Sequence, residues 1–462
     1  MRLQSRRGIL TASAGVLSLC AGCVGNSEDE SPNDTTDDSS SETTTDSNDT
    51  ADTSSTEATD DTEPNDWRSF RSGPTNDGFV DAVSPRSEPS LVWSADLSTA
   101  LRTEPSVDDG TVYVGVDATL HALEGGETNW TVDLEASVTG SPAVTDDLVV
   151  CPAGETLVVT DHSGGDVRRI DLADSAASFA SYQEQSAPTY SSPAVVDGIA
   201  YVGTSAGDLV AVALAEGTVE WRVAPTEFEF QSRQPAPEPG LSSPAVTDGL
   251  VVVGTDSGVA AVDATDGTRE WDHATDWAVR ASPAVVDGTV YVDGRVPLAL
   301  EASSGTERWR SEDAFSSTRS RRTAPFELLQ QRSPAVGSSV AVADDLVVVN
   351  DGGQRLVALE AENGSARWKT PLDERASFAS RRRTTMSTRQ VASPETSPTI
   401  VGDVALVAAE SGLVAVSLAE GDRLWRYASD SQLTSSPVVA DGAILVGDDG
   451  GQLTSLEVEG SD

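Results

Sequence analysis

Residue types able to do chemistry are sparse in this 462-residue chain, which has three histidines, His121, His162 and His273, and three cysteines, Cys20, Cys23 and Cys151. A zinc or related site needs His, Cys or carboxylate ligands at short, fixed spacings, and these histidines stand apart without such neighbours. A histidine-based nucleophilic triad fails for want of a serine motif nearby. Cys151, inside Val149-Val150-Cys151, reads as a buried, inert thiol. Asp448-Asp449-Gly450-Gly451 and Asn350-Asp351-Gly352-Gly353 carry oxygen ligands that suit calcium, but each falls where one strand turns into the next, and turn chemistry accounts for them. The strongest concentration of function-bearing groups is cationic: Arg319, Arg321 and Arg322 in one stretch, and Arg381, Arg382 and Arg383 in another. Guanidinium clusters of this kind suit carboxylate- or phosphate-bearing partners. The competing reading is a solvated loop whose arginines pair with Glu312, Asp313 and Glu327, or with Asp373, Glu374 and Glu395.

Those arginines stand out because the rest of the chain is acidic. Asp and Glu number 75 against 30 Lys and Arg, a formal charge of −45, and Lys369 is the single lysine. Such a surface repels nucleic-acid phosphate, which excludes binding by overall charge. Acid excess with lysine nearly absent fits a protein bathed in molar salt, where screening shortens the Debye length to about 3 Å. With two of three cysteines near the start, no disulfide framework is available and the fold must rest on its core.

The chain opens with Ser5-Arg6-Arg7-Gly8-Ile9-Leu10, a twin-arginine start, followed by an apolar stretch from Thr11 to Leu19 too short to span a bilayer. Residues 1–22 therefore read as a signal peptide. Leu19-Cys20-Ala21-Gly22-Cys23 resembles the lipobox of exported lipoproteins, which makes Cys23 the expected lipidation site and the bilayer a partner through it. From 23 to 66 the sequence is Ser, Thr and Asp with scarcely an apolar residue, a disordered, self-repelling tether. Asn33, Asn48, Asn129 and Asn363 head glycosylation sequons.

Residues 67–462 repeat one unit. The phrase is Ser-Pro-Ala-Val, an Asp-Gly turn, a β-branched run, an apolar alternation, a glycine and a tryptophan, complete from Ser243 to Trp271. Pro105, Pro142, Pro193, Pro244, Pro283, Pro334, Pro398 and Pro437 mark its beginnings. Asp-Gly between apolar runs is a strong hairpin signal because both residues accept positive φ, so each unit reads as four short antiparallel strands. Radial stacking into a β-propeller buries both faces of such sheets while leaving few edges. The fourth strands end near Trp93, Trp130, Ile170, Trp221, Trp271, Trp309, Trp368 and Trp425. The first lacks a preceding unit and the last unit lacks a fourth strand, so Leu91-Val92-Trp93 is expected to complete the blade begun at Pro437 and close an eight-bladed ring. Seven blades is the alternative if the irregular second unit is miscounted.

Ala261-Val262-Asp263-Ala264-Thr265-Asp266-Gly267-Thr268-Arg269-Glu270-Trp271 and its echoes resemble the tryptophan-docking repeat of the pyrroloquinoline quinone (PQQ) propeller superfamily, over about 390 residues. That superfamily includes quinoprotein dehydrogenases and the BamB-like lipoproteins that bind partners in outer-membrane assembly. The resemblance implies that Trp93, Trp130, Trp221, Trp271, Trp309, Trp368 and Trp425 dock between blades. The dehydrogenases carry an adjacent cysteine pair under the quinone, calcium ligands and an aspartate base. The folded part of this chain has no adjacent cysteines, and no calcium ligand or base maps onto it, so neither PQQ nor calcium is expected.

Insertions after Leu172, Trp221, Trp309 and Trp368 each join a blade's outermost strand to the next blade's innermost, which places all four on one face. The expectation is an exported, membrane-anchored, non-catalytic monomer that binds a protein or acidic glycan through that face. Two other readings stand beside it: a PQQ-dependent redox enzyme with a diverged site, and a sensory or structural module of a membrane complex.

Overall fold

The computed structural model describes residues 66–173, 191–204, 206–225, 241–294, 296–312, 314, 338–351, 355–372, 396–409 and 412–457. Eight four-stranded antiparallel sheets form the blades of a propeller, one of them extended by a fifth, parallel strand. Blade 1 shows the plan, with strands Ser106–Asp108, Thr111–Val116, Thr119–Glu124 and Glu127–Asp133 running from the axis outward. The other innermost strands are Ala143–Val144, Ala194–Val196, Ala245–Thr247, Ala284–Val286, Ala341–Ala343, Thr399–Val401 and Val438–Ala440. Five of the eight first hairpins turn as their residues predict: Asp109, Asp197, Asp248, Asp287 and Asp441 all have φ between 43° and 49°, and a glycine follows each of them.

The ring closes through the N-terminal strand Ser90–Asp96, which pairs antiparallel with Gln452–Glu457 and supplies the outermost strand of blade 8. Closure places Trp93 in the position that tryptophans occupy in six of the other blades. In sixth place the sequence reading fails. The inner strand of blade 6 is Ala341–Ala343, headed by Ser339-Val340, six residues beyond the phrase Ser333-Pro334-Ala335-Val336, which lies outside the described residues. Val340 stands where the other blades carry proline, and because an inner-strand start needs only an extended residue, the substitution is tolerated.

The core lies between blades. One cluster joins Ala245, Val252, Ala261 and Trp271 of blade 4 to Val285, Val290, Leu298 and Leu300 of blade 5, and each fully buried aliphatic side chain contributes about 1.5–3 kcal/mol. Tryptophans complete these contacts. The indole Nε1–H donates to a carbonyl of the following blade: Trp130 to His162 (2.9 Å), Trp221 to Ala264 (3.0 Å), Trp271 to Ala302 (2.8 Å), Trp309 to Ala361 (2.7 Å) and Trp368 to Leu418 (2.8 Å). Trp425 has no such turn ahead of it because blade 8 is assembled from both chain ends, and it donates instead to Pro85 O (2.6 Å). Opposite six of the seven rings, Trp425 being the exception, lies a glycine with positive φ, where a Cβ would come within 3 Å of the indole, as at Gly305 under Trp271 (2.5 Å) and Gly267 under Trp221 (2.8 Å). A bulge just before each tryptophan, such as that between the Ala261–Trp271 and Val262–Arg269 pairs, aims the indole at its neighbour. In blade 2 the corresponding side chain is Ile170, whose contacts with Gly217 of blade 3 are ordinary at 3.9 Å.

Candidate functional site

The innermost strands surround an axis, and the chain itself occupies that axis. Residues 67–80, ahead of the closing strand, wrap the inner edges one blade at a time. Val107 N donates to Trp67 O (2.8 Å), Val144 N to Arg68 O (2.6 Å), Val246 N to Pro74 O (2.7 Å), Val285 N to Thr75 O (2.9 Å), Val342 N to Asp77 O (2.8 Å) and Ile400 N to Gly78 O (2.9 Å). Phe79–Val80 then pairs in parallel with Ile400 and Val401. Inner-edge amides that would otherwise be buried without partners are thereby satisfied.

Next to this strap runs a ring of side-chain contacts made by the first residue of each repeat. Ser141 N donates to Ser192 Oγ, Ser192 N to Ser243 Oγ, Ser243 N to Ser282 Oγ, Ser282 N to Ser339 Oγ, Ser339 N to Ser397 Oγ and Ser397 N to Ser436 Oγ, at 2.9–3.2 Å. Blade 1 breaks the pattern with Glu104, whose N–H donates to Ser141 Oγ (2.9 Å) and whose carboxylate bonds Ser436, completing the circle. Glu104 also accepts the backbone N–H of Arg71 on Oε2 (3.1 Å). Arg71 is fully buried, and its Nη2 donates to Val340 O (2.9 Å) and Pro398 O (2.5 Å). Burial pushes the Glu104 carboxyl up and the Arg71 guanidinium down, each opposed by the other's charge. Asn76 Nδ2 bridges Pro244 O (2.9 Å) and Pro283 O (3.2 Å).

The strap begins at the hairpin-turn face. Asp66 Oδ1 accepts Asp109 N (3.2 Å), and Arg68 ties that entry to Asp108 (2.5 Å), Asp146 (2.6 Å) and Asp66 (3.2 Å). A cleft of about 480 Å³ opens beside it, lined also by Tyr113 and His162 and by no serine or cysteine. His162 Nε2 lies 2.9 Å from Thr145 O, and its Nδ1 lies 3.6 Å from Asp108. Burial raises the Asp108 carboxyl while Arg68 draws it back. With its one guanidinium engaged by three carboxylates, the cluster is a clamp on the strap.

The opposite face receives the outer-to-inner connections. Leu134 N donates to Ala118 O, Leu172 N to Glu155 O and Ser311 N to Pro297 O, which sets each outer-strand exit beside the turn joining second and third strands. Asp448 confirms the turn reading, its Oδ1 accepting Gly450 N (2.9 Å) and Gln452 N (2.8 Å). Arg319, Arg321, Arg322, Arg381, Arg382 and Arg383 lie outside the described residues, as do Arg6, Arg7 and Cys23. The three histidines do not converge: His121 sits in blade 1, His162 in blade 2, and His273 in blade 4 beside Gly305 O and Glu307. Among the described residues no group of His, Cys, Asp and Glu is placed to hold a metal ion. Cys151 is wholly buried between blades 1 and 2, away from the axis, and burial pushes its thiol up to about 12.

Residues 76–229, 229–314 and 292–462 match the family described as outer membrane protein assembly factor BamB. The chain belongs to that family. It is 27% identical over 199 residues to the outer membrane protein assembly factor BamB of Moranella endobia, covering 39% of this chain and 43% of that one. It is 28% identical over 189 residues to the serine/threonine-protein kinase AfsK of Streptomyces griseus, covering 39% and 21%. The chain thus spans less than half the length of these curated relatives. Among solved structures, BamB from Moraxella catarrhalis superposes with a TM-score of 0.58 at 15% identity, over 80% of this chain and all of that one. A europium-containing methanol dehydrogenase gives 0.60 at 12% identity, over 86% and 98%. These likenesses establish the fold alone.

The residues on this axis do not fit the quinone that the repeat's resemblance implied. The strap takes the inner edges, Arg71 and Asn76 take four of the inward carbonyls, and the one thiol of the blades lies between blades 1 and 2.

Proposed function

We propose that this BamB-family propeller is a non-catalytic scaffold, exported and anchored to the membrane through Cys23, which binds surface proteins or acidic glycans as a monomer. The carrying observation is the strap: with the axis filled by residues 67–80, the contacts open to a partner fall to the face from which the outer-to-inner connections spring. The described chain enters at the opposite face, beside Asp109. The name of the Moranella relative, an assembly factor, agrees with a scaffold. Among the described residues no helix is long and apolar enough to cross a membrane.

Guanidinium groups at Arg319, Arg321, Arg322 and Arg381 to Arg383 supply the recognition, because their planar forks match carboxylates two bonds at a time. A photo-crosslinking residue placed at Arg382, and separately at Asp248 on the turn face, tests the reading in intact cells in molar salt. A discrete adduct from Arg382 that is lost in an Arg381–Arg383 alanine variant, with none from Asp248, supports it. Equal labelling from both faces, or an adduct indifferent to the arginines, contradicts it.

A further inference from the structure

The repeat directs one carbonyl per blade toward the axis from the position occupied by proline. Six have defined donors, all from the protein: Pro142 O takes Ser106 Oγ (2.6 Å), Pro244 O and Pro283 O share Asn76, Val340 O and Pro398 O share Arg71, and Pro437 O takes Thr399 Oγ1 (2.6 Å). A ring of inward carbonyls with one buried carboxylate, Glu104, is an environment for a cation that can donate in a plane. Arg71 meets it with two bonds from Nη2: it is fully buried, under the charges of Glu104 and Asp77, while its Nε and Nη1 and the Glu104 Oε1 are buried without a protein hydrogen-bond partner.

The backbone is bent to deliver that side chain. Arg71 and Ser72 have φ of 58° and 71°, and Asn76 has 56°, conformations that side-chain-bearing residues adopt only where the surroundings impose them. Gly78 completes the arrangement, since a Cβ there would lie 1.9 Å from Arg71 Nη2. The other contacts run from main chain to main chain at six of the eight blades, the way a peptide is read along strand edges.

We propose that the axial channel is a binding site for an extended peptide bearing a guanidinium group, and that residues 67–80 are its resident occupant, held in cis with Arg71 as the anchor. The channel then selects a planar, multiply donating cation over a compact ammonium, and the quinone chemistry of related propellers is closed off by the chain's own segment.

The test uses the full chain with Arg71→Ala, melted in molar KCl with millimolar ethylguanidinium or ethylammonium. The variant is expected to melt below the wild type and to regain about 3 °C saturably with ethylguanidinium. Ethylammonium should restore little, and the wild type should respond to neither. Equal responses from variant and wild type, or equal rescue by both cations, overturn the proposal. Should Arg71→Ala not fold, Arg71→Lys takes its place: a lowered melting point that ethylguanidinium raises and ethylammonium does not supports the site, and a wild-type melting point overturns it. Hydrogen exchange on the wild type adds an independent reading. Amides of Val246, Val285, Val342 and Ile400 are expected to exchange with the slow inner strands, and exchange at rates typical of exposed amides contradicts an occupied channel.

Discussion

Adding one methyl group at two glycines separates the docking of tryptophans from ordinary turn strain. Gly305 and Gly249 have φ of +66° and +78°, so alanine at either position pays a left-handed backbone penalty of about 1–2 kcal/mol. Around Gly249 a Cβ meets nothing within 4 Å. At Gly305 it would lie 2.5 Å from Trp271 Cε3 and 2.7 Å from Cδ2, and the indole cannot retreat because its Nε1 is fixed to Ala302 O at 2.8 Å and the ring is buried against Leu298 and Leu300. Overpacking of that kind adds about 1–3 kcal/mol. Gly249→Ala should therefore cost about 1–2 kcal/mol and Gly305→Ala about 2–5 kcal/mol, read by urea unfolding in molar KCl with unchanged m. Trp271→Ala alone should cost about 3–5 kcal/mol, and in that background Gly305→Ala should fall back to the cost of Gly249→Ala. Equal costs at the two glycines in the wild-type background would refute the docking argument.

Other consequences follow from the same contacts. Gly78→Ala, with its methyl driven into Arg71 Nη2, should unseat the strap and open the segment around Arg71 to limited proteolysis while far-UV circular dichroism stays that of a β protein; protection equal to wild type contradicts the strap's geometry. Lowering KCl from molar to about 0.1 M should abolish the near-UV signal, because repulsion within a chain of charge −45 is no longer screened; a fold that persists in dilute buffer sinks the salt-adaptation reading. Burial holds Asp77, Glu104, Asp108, Asp256 and Asp441 above their ordinary values, so the folded state binds more protons than the unfolded one just above the carboxylate range. Their contribution is present at low pH and lost as pH rises through the raised values. His121, held below 6.5 by burial, works against them on acidification, but it is one group against five. The melting temperature should rise as pH falls from 7 toward about 5 at constant KCl, and a steady decline over that interval contradicts the assignment.

The blades were legible because each carries its own punctuation. Asp-Gly at 109, 197, 248, 287 and 441 specifies the first hairpin locally, and the glycine-to-tryptophan spacing specifies the last, so strand order and the closure by Leu91-Val92-Trp93 followed from counting. Blade 6 misled because Ser333-Pro334-Ala335-Val336 repeats the phrase in full, whereas the true inner strand at Ala341–Ala343 has lost its proline. The strap left no periodic trace, since it meets six of the blades through backbone carbonyls and needs no alternation of apolar residues. One local sign was present. Glu104 interrupts the serine series at the head of blade 1, and a carboxylate where seven blades hold a hydroxyl calls for a cation, which Arg71 supplies from 33 residues away.

A scaffold with a filled axis differs most sharply from a quinoprotein in what it does when offered the quinone. Tryptophan fluorescence of the mature protein, titrated with PQQ and calcium in molar KCl, measures this directly, because the buried Trp67 lies on the strap against the innermost strand of blade 1 and reports any ligand that displaces it. The account predicts a flat titration with the wild type. Saturable quenching at micromolar PQQ would contradict it, showing that the strap yields to a cofactor.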